Sequence, residues 1–172
     1  MLLKLFTLSY TLFLFSLAFL TLPLSDYLKS RGLYGPAIAG VLLAFAGGAL
    51  AAVARRIKQP GWTWTRIILL FAIAAVYFLL YRHAEYEIEK VHLAVYSLLP
   101  ILYLKSFFSG QSKWNWLKAG FTAVVIGCID EGLQAFVPGR FCQAGDMIFN
   151  VSAGILGLAF FAGLSHQKNE GV

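Results

Sequence analysis

Six stretches of this 172-residue chain are each apolar over about the length an α-helix needs to cross a lipid bilayer. They cover 5–24, 34–54, 66–81, 91–108, 116–136 and 147–164. A hydrocarbon core about 30 Å thick takes roughly 17–25 residues of helix. Lipid offers the backbone no hydrogen-bond partner, so each run must close its bonds within itself. The expected fold is all-α, a polytopic transmembrane helical bundle of about six helices in a single domain over 1–172. The third run is the shortest, which makes five helices the alternative. Trp62 and Trp64 at one end of it and Tyr81 at the other suit interfacial anchoring. The first run continues through Thr21, Leu22, Pro23 and Leu24 without a small-residue cleavage pattern, so it reads as a retained helix rather than a signal peptide.

Composition narrows the function classes. The chain is 59% hydrophobic and 13% charged, against roughly 45–50% and about 25% for soluble domains. That excludes a soluble enzyme, a disordered tail and a nucleic-acid-binding domain. The net charge of +6 comes from Lys and Arg set between the apolar runs, with no basic face. The implied partner is the bilayer, not nucleic acid. With the N-terminus inside, nine cations fall on inner segments: Lys4, Arg55, Arg56, Lys58, Arg66, Lys105, Lys113, Lys118 and Lys168. Five fall outside: Lys29, Arg31, Arg82, Lys90 and Arg140. The positive-inside bias then predicts that both termini are cytoplasmic. Cys128 and Cys142 have neither metal-ligand spacing nor a disulfide framework, and both are expected to be free thiols.

Charges that do not serve orientation mark the candidate site, because an ionisable group at membrane depth needs a partner or a polar cavity. At the start of the fourth run, Glu85, Glu89, His92 and Tyr96 are spaced by four, three and four, which puts them on one helical stripe. Glu89 can hold the tautomer of His92. Glu85 and Glu87 read as a solvated acidic helix start, and His83 as a surface residue. In the fifth run Ala119, Ala123, Gly127 and Glu131 recur every four residues. The small residues admit a neighbouring helix, with the carboxylate further along the same side. Gln134 lies near that face, whereas Asp130 is turned away by about 100°. In the sixth run Asp146, Asn150, Gly154 and Gly157 form a matching stripe, and Asp146 alone would also serve as an N-cap. Val137-Pro138-Gly139-Arg140 reads as the turn that ends the fifth helix. Arg140 is placed to pair with Glu131 or Asp146, or to hold an anionic head group. The expected pocket is therefore built by helices four, five and six from Glu89, His92, Tyr96, Glu131, Gln134, Arg140, Asp146 and Asn150, and opens outward. Gly127, Gly154 and Gly157 are expected to pack helices together.

These residues resemble the VanZ-like family of bacterial integral membrane proteins. The family pattern has an acidic-Lys-x-x-His-type start with a Tyr one turn later; Glu89-Lys90-Val91-His92 and Tyr96 resemble it here with one residue fewer between Lys and His. It continues with Glu-x-x-Gln, a Pro-x-Arg turn, an Asp, an Asn and paired glycines. Here those are Glu131-Gly132-Leu133-Gln134, Pro138-Gly139-Arg140, Asp146, Asn150, Gly154 and Gly157. The family commonly has Asp where Glu89 stands. The matching positions run from 89 to 157, and a VanZ-like region would span about 89–164. The resemblance implies the bacterial cytoplasmic (inner) membrane and a role at the cell envelope, since the family is named for a protein implicated in resistance to teicoplanin, a lipoglycopeptide. It implies no particular reaction.

Three functions fit these residues. The first is a binding protein whose outward pocket recognises an envelope lipid, a glycan head group or a lipoglycopeptide-type amphiphile. In that reading Glu89, Tyr96, Gln134, Arg140 and Asn150 are the ligand-binding residues. The second is an intramembrane enzyme acting on a lipid-linked or phosphorylated substrate. Its catalytic residues would be His92, Glu131 and Asp146, as base and acid partners, with Arg140 stabilising an anion. The third is a proton-coupled transport component. No metal or cofactor is assigned, because one His among scattered carboxylates is a weak metal signature. The oligomeric state is left open.

Overall fold

The computed structural model describes residues 1–58, 62–84, 87–110, 112–140 and 144–165. Every regular element among them is an α-helix: α1 Leu2–Ser30, α2 Tyr34–Ile57, α3 Trp64–His83, α4 Glu87–Ser106, α5 Lys113–Gln134 and α6 Ala144–Leu164. Each apolar run thus forms one helix. The third is longer than its apolar run, because Trp64, Thr65, Arg82 and His83 continue it to 20 residues. The first runs on to Ser30, through Pro23. At 1.5 Å per residue its 29 residues span about 43 Å, more than the hydrocarbon thickness. The expectations on Glu85 and Cys142 fall outside the described residues, as does Lys168.

Four helices, α1, α2, α3 and α6, are long and apolar enough to cross a membrane. The other two carry more charge: Glu87, Glu89, Lys90 and Lys105 in α4, and Lys113, Lys118, Asp130 and Glu131 in α5. Packing explains the division. Helix α4 touches every other helix, and α5 lies between α1, α4 and α6. Protein neighbours can satisfy polar side chains that lipid cannot. The peripheral helices show the converse, since Ile38 alone in α2 and Ile73 alone in α3 are buried. The outward face of α5, formed by Leu117, Phe121, Val125 and Ile129, is equally apolar and exposed, as a lipid-facing surface would be.

The core joins Leu14 of α1 to Leu93, Tyr96 and Leu99 of α4, Ala123 and Ile126 of α5, and Ala153 of α6. Small residues set the spacing. A Cβ on Gly157 would stand 2.1 Å from the carbonyl oxygen of Ser97, so α4 and α6 cross at a distance only glycine permits. Gly127 lies 3.5 Å from the ring of Tyr96 and 3.6 Å from Asn150, measured from the position its Cβ would take. Gly154 faces Ala123, Pro100 and the Tyr96 carbonyl. That carbonyl has lost its usual helical donor, because Pro100 has no N–H. All three of these glycines are buried. Side-chain hydroxyls fasten the same crossing: Tyr77 of α3 is hydrogen-bonded to Ser97, and Ser97 donates to the Ala153 carbonyl at 3.1 Å.

Candidate functional site

The α4–α5–α6 junction holds a closed polar cluster. Tyr96 donates its hydroxyl proton to Asp130 Oδ2 at 2.7 Å. The Gln134 amide donates to the same Asp130 oxygen at 3.0 Å and to Glu131 Oε1 at 3.3 Å. From α6, Asn150 Nδ2 donates to Glu131 Oε1, also at 3.3 Å. The spacing along α5 makes this geometry inevitable. Residues 130 and 131 differ by about 100° around the helix; the first faces α4 and the second faces α6. Gln134 is four residues from one and three from the other, so its amide reaches both.

The cluster is buried and incompletely paired. Asp130, Glu131, Gln134 and Asn150 are 4%, 0%, 2% and 3% exposed. Three of its buried atoms lack a hydrogen-bond partner: Asp130 Oδ1, Glu131 Oε2 and Asn150 Oδ1. A buried polar atom without a partner costs about 1–3 kcal/mol, more if charged. All three are acceptors.

A cavity of about 260 Å³ abuts this cluster. Its wall is mostly apolar, from α1 with Phe13, Leu14, Leu17 and Leu24, from α2 with Ile38 and Val41, and from α4 with Ile88, Val91 and Val95, and Thr21 and Ser25 interrupt the α1 side. Its polar corner is His92 and Tyr96 from α4 with Asp130 and Gln134 from α5. The His92 ring stands edge-on to Tyr96 with centroids 5.7 Å apart. Glu131 lies one amide away, behind Gln134, against α6. The site therefore uses α1 and α2 as well as the three helices expected.

Arg140 follows from its turn. Its N–H donates to the Val137 carbonyl at 3.1 Å. Pro138 is second and Gly139 third, at φ +84°, the pattern of a type II turn that needs glycine there. The guanidinium points to α1, where Nη1 donates to the Ala18 carbonyl at 3.4 Å. No ion pair within 4.0 Å joins it to Asp130, Glu131 or Asp146. Its field still reaches all three carboxylates and His92.

The predicted site residues thus divide. Tyr96, Glu131, Gln134 and Asn150 meet in one hydrogen-bonded cluster, with His92 beside it. Asp146 is half-buried, one turn before Asn150 and outside the cluster. No hydrogen bond or ion pair joins His92, Glu131 and Asp146 to one another. Glu89 is half-buried in the first turn of α4 and is not part of the cavity wall. Glu87 is ion-paired with Lys90 at 2.5 Å, as suits a solvated helix start. Asp130 is the residue that the sequence reading set aside and the structure puts at the centre. Its signal was the Ile126-Asp130-Gln134 stripe, spaced by four, beside the Glu131 one.

No family model matches the chain, and neither a curated protein nor a solved structure is significantly similar to it.

Proposed function

We propose that this is a membrane protein that binds an amphiphile of the cell envelope, with the ligand's chain against α1 and α2 and its head at the Tyr96–Asp130–Gln134 wall. The observation that carries the reading is a mostly apolar cavity with His92, Tyr96, Asp130 and Gln134 gathered where α4 meets α5. Its volume, about 260 Å³, is just below the roughly 300–1,000 Å³ of drug-sized ligand sites. That suits a head group with the near part of one chain rather than a whole lipid. The VanZ-like pattern and the Lys and Arg distribution favour a site facing the outer leaflet of a bacterial cytoplasmic membrane. Binding is favoured over catalysis because the three residues that an enzyme would use, His92, Glu131 and Asp146, are not bonded to one another.

Mass spectrometry of lipids retained by the purified protein in mild detergent tests this. Wild-type protein should retain a stoichiometric amphiphile. Val41→Trp, at a half-exposed position of the cavity wall, should fill the space and release it. Equal retention by both proteins, or none by either, defeats the reading.

A further inference from the structure

We infer that the head group recognised here is cationic, a primary amine, rather than the anion that Arg140 first suggests. The inference rests on the cavity taking up an amphiphile and adds the chemistry of its head. Among the described residues, the buried side-chain atoms left without a partner are all oxygens, Asp130 Oδ1, Glu131 Oε2 and Asn150 Oδ1, and of these three residues only Asp130 lines the cavity. Asp130 belongs to the cavity wall and is 4% exposed. Asn150, 3% exposed, has its amide oriented by the donation of Nδ2 to Glu131. The reverse orientation would set oxygen against oxygen, so Oδ1 stays an acceptor. An occupant beside Asp130 must therefore bring a donor to Oδ1, and an ammonium brings donors together with a positive charge.

The charge balance agrees. Asp130, Glu131 and Asp146 lie within the field of a single cation, Arg140, and none forms an ion pair with it. The guanidinium is occupied by the Ala18 carbonyl and points toward α1. An anionic head entering beside Asp130 would meet a carboxylate, and Arg140 is not part of the cavity wall. An amine would complete Asp130 Oδ1. The aromatic faces of Tyr96 and His92 flank the same wall, and Tyr96 adds the attraction of a ring for a cation.

Three probes of one chain length isolate the head: dodecylamine, dodecanol and dodecanoate, titrated against the delipidated full chain by thermal shift and native mass spectrometry. Dodecylamine should bind saturably, dodecanol at least tenfold more weakly, and dodecanoate not at all. Asp130→Asn keeps an acceptor for Tyr96 and should remove most of the preference for the amine. If dodecanol or dodecanoate binds as well as the amine, the head-group inference is wrong and the amphiphile reading stands. If none of the three binds, both are wrong. If sodium chloride displaces the amine at equal ionic strength where choline chloride does not, the oxygens form a metal-ion site and the amine inference fails. The ranking by the wild-type protein decides alone, so a variant that fails to fold leaves the test intact.

Discussion

Tyr96 and Asp130, on neighbouring helices and 34 residues apart, share a 2.7 Å hydrogen bond between two buried side chains. This bond joins the central helix to the acid pair and forms part of the cavity wall. Tyr96→Phe keeps the ring and its packing while removing the only hydroxyl donor to Asp130 Oδ2. Gln134 alone would then serve that oxygen. The expected loss is about 1–3 kcal/mol, read as a fall in the thermal midpoint of the detergent-solubilised protein. An unchanged midpoint would mean that Asp130 does not rely on this donor.

Gly157 gives the sharpest steric test. Alanine there would bring a methyl carbon against the Ser97 backbone, at a separation of 2.1 Å before relaxation. Backbone cannot swing away, so α4 and α6 must part, at a cost of about 1–3 kcal/mol or more. Gly132 lies in the same bundle with nothing within 4 Å of its virtual Cβ. Gly132→Ala should be neutral or stabilising by up to about 1 kcal/mol. Comparing the two midpoints separates helix spacing from helix propensity.

Arg140 carries an expectation opposite to that of an anion clamp. Arg140→Gln retains a donor for the Ala18 carbonyl but removes the one positive charge whose field reaches the three carboxylates. Dodecylamine should bind this variant several-fold more tightly than wild type. Weaker binding would make the guanidinium a contact for the ligand.

Cys128 tests which face of α5 meets lipid. It is exposed and free, on the same outward side as Val125 and Ile129. In a Cys142→Ser background, a spin label at Cys128 in lipid vesicles should be relaxed by oxygen, which dissolves in the acyl region, and hardly by an aqueous nickel chelate. Strong relaxation by the chelate would put this face of α5 against water.

The fold was legible because lipid makes a simple demand: an apolar run of the right length becomes a helix, whatever its detailed sequence. Helix ends were less legible. Arg82 and His83 look like loop residues by charge, yet they form the last turn of α3, where cations suit the dipole. The α5 and α6 stripes put Glu131 and Asn150 in one expected pocket, since small residues and polar residues share one face on each helix; their hydrogen bond was not foreseen. Asp130 was set aside because a turn of about 100° was read as leading away from the site. A helix enclosed on several sides has two functional faces, and periodicity alone does not say how many sides are enclosed. The contribution of α1 and α2 left no trace for a similar reason. A helix apolar all round has no stripe that announces which side faces protein.

The central position of α4 has a consequence for how such a chain is made. Helices α1, α2 and α3 leave the ribosome first, yet α3 meets α2 only through the rings of Tyr77 and Phe45 and does not pack against α1, and α1 and α2 meet only slightly. The first half of the chain would thus wait in the bilayer as loosely associated helices until α4 is inserted among them. Assembly then waits for the helix that carries His92 and Tyr96, and for α6, the main neighbour of both α3 and α4. A ribosome stalled before α4 would release three spans without a core, a natural substrate for membrane quality control.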